Sequence, residues 1–172
     1  MTRVVVTGMG IVSPLGLDAT RTWEGLVAGR SGVGYITRFD PHMLETHFGA
    51  EVVDFDPEAY IDRKEARRMD RYAQFAVAAA IQAVEHAGLR IDDSNAYDIG
   101  VIIGSGAGGI SSMLEQYEVL LDRGAARVSP FLAPMMIADM GPGQIAINLG
   151  IKGPNFCTVS SCASGSDAIG TS

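Results

Sequence analysis

The sequence predicts an α/β fold built on a parallel sheet. Three observations carry that prediction. Short, continuous apolar runs at Val4-Val5-Val6-Thr7 and Ile99-Gly100-Val101-Ile102-Ile103 suit strands buried on both faces, and Phe156-Cys157-Thr158-Val159-Ser160 is apolar and β-branched enough to be a third. Helix-length segments separate them. The order strand, helix, strand, helix, strand then favours parallel pairing through crossover connections.

The elements follow in order. Val4 to Thr7 is the first strand and ends in a loop rich in breakers, Gly8 to Gly16. Asp18 can cap a helix through about Leu26, with Trp23, Leu26 and Val27 on its apolar side. Short strands are possible near Tyr35-Ile36 and Ala50-Val53. Glu65 to Ala87 is the clearest helix. Met69, Ala73, Ala76, Ala80, Val84 and Ala87 recur at helical spacing, and Gly88 is its stop. That face is made of small residues, so another element can approach it closely. After the second strand, Met113 to Asp122 reads as a helix ending at Gly124. Ser129-Pro130 opens a further helical region through Asn148, with a break or kink at Gly141-Pro142-Gly143.

Composition narrows the function classes. The 172 residues carry a net charge of −7, which argues against general nucleic-acid binding. No apolar run reaches the length of a membrane span, and the N-terminal run is too short for a secretion signal. Cys157 and Cys162 form neither a disulfide framework nor a zinc site, having no nearby histidine; His42, His47 and His86 are scattered. No metal is implied. A reducing cytoplasm is the simplest compartment.

Three motifs bear on chemistry. Cys162 stands where the third strand hands over to a helix beginning near Ala163-Ser164-Gly165. Backbone N–H groups and the helix dipole converge at such a junction and favour a thiolate nucleophile. Cys157, inside the strand, is assigned no chemistry. Gly104, Gly106 and Gly109 spell G-x-G-x-x-G between a strand and a helix, the pattern of a dinucleotide-binding turn. The acidic residue that pattern wants some 20 positions on has only Asp122 as a candidate, inside the intervening helix. A tight turn with close backbone packing is the alternative. Arg63, Lys64, Arg67, Arg68 and Arg71 crowd the start of the long helix, either as a solvated face with Asp62, Glu65 and Asp70 or as a docking patch for an anionic partner.

Taken together these motifs resemble the β-ketoacyl-acyl carrier protein synthases, most closely the synthase II type. The resemblance rests on Val4 to Gly10 with Ser13-Pro14-Leu15-Gly16, on Met69-Asp70-Arg71 leading to His86-Ala87-Gly88, and on Gly104-Ser105-Gly106 with Gly108-Gly109. Ser129-Pro130-Phe131, Gly153-Pro154-Asn155 and Ser161-Cys162-Ala163-Ser164-Gly165 follow in the family's order. It implies a thiolase-like, layered αβαβα fold of two similar halves, working as a homodimer in which the strand before Cys162 meets its twin. It implies that residues 1–172 are the N-terminal part of one synthase domain, incomplete and stopping just after the nucleophile.

The implied activity is acyl transfer in fatty-acid biosynthesis. Cys162 would take an acyl chain from acyl carrier protein and condense it with malonyl-acyl carrier protein, without a cofactor. The resemblance also assigns Ala107 to the acyl pocket, and Lys64, Arg67 and Arg68 to docking of the acidic carrier protein. Asp167 stands where synthase II relatives often have histidine. The downstream histidines, lysine and glycine-rich loop of the family lie outside these residues, so the piece alone is expected to be inactive. A dinucleotide-binding domain and a non-catalytic partner subunit are the alternatives.

Overall fold

A computed structural model describes residues 3–172. The described chain forms two compact units. One comprises residues 3–56 with Gln82–Leu89; the other comprises Pro57–Ile81 with Arg90–Ser172.

In the first unit the expected opening strand is absent. Val4 to Thr7 pairs with no strand among the described residues, and Val4 and Val6 are 87% and 84% exposed. β-Branched residues favour extended backbone, but a strand exists only where a neighbour accepts its hydrogen bonds. The segment is instead held by side chains of the long helix. Met9 N–H donates to His86 Nδ1 (3.0 Å) and Ile11 N–H to Gln82 Oε1 (3.1 Å). Gln82 Nε2 donates in turn to Leu17 O (2.8 Å). Gly8 permits this crossing, because a Cβ there would lie 2.2 Å from Ala83 O. The close approach anticipated from the small-residue face is therefore present.

Helix α1 (Ala19–Val27) is capped by Asp18, whose carboxylate accepts from Arg21 N–H. Its buried face is Thr22 and Gly25, not the apolar side read from the sequence; Trp23 and Val27 are 66% and 70% exposed. Strands β1 (Val33–Tyr35) and β2 (Phe48–Ala50) pair antiparallel, with Val33 opposite Ala50.

The second unit holds the core. The single long helix expected from Glu65 is two: α2 (Arg63–Ala66) and α3 (Arg71–Ala87), the latter ending at Gly88 in the left-handed conformation. Asp70 causes the break. It is buried, and its carboxylate accepts from Tyr72 N–H (3.1 Å), starting α3 afresh. Strand β3 (Val101–Gly104) leads to α4 (Ile110–Arg123), then α5 (Leu132–Met136) and α6 (Met140–Leu149). The interruption between α5 and α6 falls at Ile137–Asp139, upstream of the glycine-proline pair. Pro142 is the third residue of α6, where no intrahelical partner awaits an N–H, so its missing donor costs nothing. Strand β4 (Asn155–Thr158) pairs parallel with β3, Val101 opposite Asn155 through Gly104 opposite Thr158.

Ile61, Ala66, Met69, Ala73, Val77, Val101 and Ile145 form the buried cluster, with Tyr72, Ile103 and Leu149 packed around it. Most of β3 is half-buried rather than sealed on both faces, as is most of β4. Tyr72 binds α3 to the α5–α6 connection by donating its hydroxyl to Ile137 O (2.6 Å).

Candidate active site

The end of β4 is followed by one turn of 3-10 helix, Ser161–Ala163, and then by α7 (Ser164–Thr171). Cys162 is the middle residue of that turn and is exposed. The helix proper therefore begins one residue later than Ala163. Ser161, just before the cysteine, has a φ of +54°. Left-handed backbone at a non-glycine residue is uncommon and persists where its surroundings hold it. The holding groups are local. Ser164 is 2% exposed; its hydroxyl donates to Ser161 O (2.7 Å) and accepts from Ser160 N–H (2.9 Å). Thr158 Oγ1 donates to Ser164 O (2.9 Å), and Ser160 Oγ donates to the Asp167 carboxylate. An open, polar hollow of about 540 Å³ lies beside the turn, lined by Val159, Ser160, Asp167 and Thr171 among others.

Cys157 lies in β4 and is half-buried; burial pushes its thiol pKa above the ordinary value. The two cysteines thus differ in exposure.

The glycine-rich loop after β3 lies against this turn. A Cβ on Gly104 would sit 2.1 Å from Ser164 O, and one on Gly106 would touch Ser161 O at 3.4 Å. Ser105 N–H donates to Thr158 O (3.1 Å), and Gly109 N–H to Met136 O (2.9 Å). Ala107 is exposed on this loop, one residue from Gly106. The loop of Ala107 and the turn of Cys162 are thereby brought together.

The basic residues sit elsewhere: Arg63 and Lys64 on α2, Arg67 and Arg68 on the connector after it, and Arg71 at the start of α3. Arg63 and Lys64 are the first two residues of the single turn of α2, directly after its cap Asp62, whose carboxylate accepts from Lys64 N–H. Arg63 pairs with Glu58 (3.3 Å) and Arg68 with Glu65 (3.2 Å), while the Arg68 guanidinium also lies 4.5 Å from the Phe131 ring centre. Lys64 and Arg67 have no ion-pair partner among the described residues, and with Asp62 and Arg63 they line an open hollow of about 410 Å³. Asp70 does not serve this surface, contrary to the sequence reading. It is 5% exposed, and its Oδ2 accepts from Ser112 N–H (2.9 Å) and Ser112 Oγ (2.7 Å) at the start of α4.

This disposes of a phosphate cradle in the glycine loop. The N-terminus of α4 already holds an anion, the Asp70 carboxylate, and Gly104 and Gly109 are closed over by main-chain carbonyls of Ser164 and Met135. The glycines serve packing.

The whole chain, residues 1–172, matches the family model described as "Beta-ketoacyl synthase, N-terminal domain". The chain belongs to the β-ketoacyl synthase family. It is 54% identical over 168 residues to the 3-oxoacyl-(acyl-carrier-protein) synthase 2 of Synechocystis sp., covering 98% of this chain and 40% of that relative. It is 49% identical to the protein of the same name from Staphylococcus aureus, covering 98% of this chain and 41% of the relative. Among solved structures, a β-ketoacyl synthase from Burkholderia phymatum matches with a TM-score of 0.82 at 30% identity, covering 99% of this chain and 42% of that one. The chain therefore spans about two fifths of the length of these synthases, and its fold is the corresponding part of the thiolase-like α/β fold.

The structural roles of two buried polar residues, Asp70 and Ser164, escaped the sequence reading. Asp70 carried a signal, an acid immediately before a helix. Ser164 carried none, since small polar residues surround it on every side.

Proposed function

We propose that this chain is the nucleophile-bearing N-terminal part of a β-ketoacyl-acyl carrier protein synthase of fatty-acid biosynthesis, acting with residues beyond position 172. Cys162 is the nucleophile. Its sulfur attacks the carbonyl of an acyl-carrier thioester, the carrier thiol leaves, and an acyl-cysteine remains. Malonyl-carrier protein loses carbon dioxide. The resulting carbanion attacks the acyl-cysteine and expels the Cys162 sulfur. A β-ketoacyl thioester two carbons longer is the product. The observation that carries this reading is an exposed cysteine at a strand-to-helix turn in a chain of this family. The names of the relatives support the fatty-acid assignment.

The carrier protein is the proposed partner, docking on Lys64, Arg67 and Arg68 through opposite charge. A second copy of the chain is the other. Ile110, Leu114, Tyr117 and Leu121 recur at helical spacing on α4 and are 51%, 54%, 56% and 66% exposed, an apolar stripe suited to a subunit interface. Residence in the cytoplasm suits two free thiols. No helix among the described residues is long and apolar enough to cross a membrane.

The test is intact-mass analysis of the protein carrying this chain after incubation with an acyl thioester. One acyl group is expected on Cys162, and none in the Cys162→Ala variant. An adduct on Cys157, or no adduct, refutes the assignment.

A further inference from the structure

Ser164 takes no part in the chemistry above, yet it is the buried centre of the turn that carries Cys162. We infer that Ser164 is a positioning residue for the oxyanion donor of acyl transfer, with Asp167 as a second tether. The inference rests on the condensing-enzyme reading of Cys162 and deepens it.

A hydroxyl has one proton to give and lone pairs to receive. Ser164 uses both on the two peptide groups that enclose Ser160 and Ser161. Its proton goes to Ser161 O, and Ser160 N–H comes to its oxygen. The Ser161 carbonyl belongs to the same peptide unit as the Cys162 N–H. No described peptide bond is cis, and in a trans unit the C=O and N–H point in opposite directions. Drawing Ser161 O inward to a buried hydroxyl therefore turns the Cys162 N–H outward, to the exposed side of the turn. There it can meet the oxygen on which charge gathers when sulfur adds to a thioester carbonyl.

The left-handed φ of Ser161 sets the direction from which the strand enters the turn, so that Ser160 N–H and Ser161 O reach the same hydroxyl. Without the hydroxyl, that carbonyl keeps only the Ser164 N–H of the 3-10 turn and Ser160 N–H loses its acceptor, so the peptide units on either side of Ser161 are held less firmly and can relax toward a commoner conformation. Ser164 is itself fixed from two strands. Thr158 on β4 binds its carbonyl, and Gly104 on β3 lets that carbonyl lie against the strand. Asp167 fixes the other end by accepting the Ser160 hydroxyl. None of these groups needs to touch substrate.

The experiment compares two reactions of the same sulfur in the intact protein. Acylation by hexanoyl-N-acetylcysteamine passes through an oxyanion; alkylation by iodoacetamide displaces iodide and makes none. Losing one oxyanion donor outright slows catalysis by about 10²–10³, so misorienting it in Ser164→Ala is expected to slow acylation about 10- to 100-fold. Alkylation should stay within about threefold of the unmodified protein. The exposed Asp167→Asn variant, which keeps the buried serine, should show the same selectivity at about 3- to 10-fold, and supplies the answer if Ser164→Ala does not fold. Equal slowing of both reactions, or slowing of neither, overturns the inference while leaving Cys162 as nucleophile. Failure of the unmodified protein to acylate overturns the condensing-enzyme reading and this inference with it.

Discussion

Replacing Gly104 by alanine tests whether the glycine loop exists for close packing. An ideal Cβ there lies 2.1 Å from Ser164 O, 2.2 Å from Ser164 C and 2.5 Å from Gly165 N, against 3.4 Å for ordinary contact. All three are main-chain atoms, so no side chain can swing aside. β3 and the start of α7 must part by about 1 Å, as the ordinary spacing requires. Overpacking of this kind costs about 1–3 kcal/mol. The separation also strains the bond from Thr158 Oγ1 to Ser164 O, worth about 1 kcal/mol net. Alanine restricts the unfolded chain and returns about 0.4–1 kcal/mol. The net expectation is a loss of roughly 1–3.5 kcal/mol. Gly165→Ala is the control. Its Cβ meets nothing within 4 Å, and it lies in α7, so it should gain about 0.5–1 kcal/mol. Urea denaturation followed by far-ultraviolet circular dichroism reads both, because the single tryptophan, Trp23, lies in the other compact unit. Opposite signs are required. A Gly104→Ala protein as stable as the unmodified one would refute the packing account and reopen the loop to a ligand.

Three further predictions follow from the same geometry. Lys64→Glu and Arg67→Glu should each raise the apparent KM for carrier-bound substrate about 3- to 10-fold and leave a small thioester untouched. Arg68→Glu should do less through charge, since that residue is already paired with Glu65; equal effects on both substrates would count against docking. Tyr72 is pushed up to about 12, chiefly by burial. Between pH 10 and 12 the folded state then holds a proton that the unfolded state has released. Stability from this tyrosine is full below pH 10 and falls as pH rises toward 12, by roughly 1 kcal/mol after allowance for screening of a half-exposed ring. Tyr72→Phe should lose about 1 kcal/mol at neutral pH, through the bond to Ile137, and show less of that alkaline decline in urea titrations. Ala107→Phe fills space on the loop beside the Cys162 turn and should shorten the longest acyl chain the protein accepts; an unchanged product profile would remove Ala107 from the pocket.

What the sequence determined by itself was local. Apolar runs marked β3 and β4, Asp18 marked the start of α1, and Gly88 and Gly124 marked the ends of α3 and α4, because propensity, capping and left-handed φ are properties of neighbouring residues. The order of its motifs was also enough to reach the family. Tertiary structure decided everything that depends on a partner distant in the chain. Val4 to Val6 read as a strand, but pairing is supplied by another segment and not by the valines. Asp70 read as a surface acid until Ser112, far along the chain, turned it into a buried cap and divided the long helix. The glycines after β3 could equally have held a phosphate or a neighbouring backbone; only the position of Ser164 and Met135 against them decides. Ser164 itself is one hydroxyl among many in the sequence, and it becomes particular only when β3, β4 and α7 close around it.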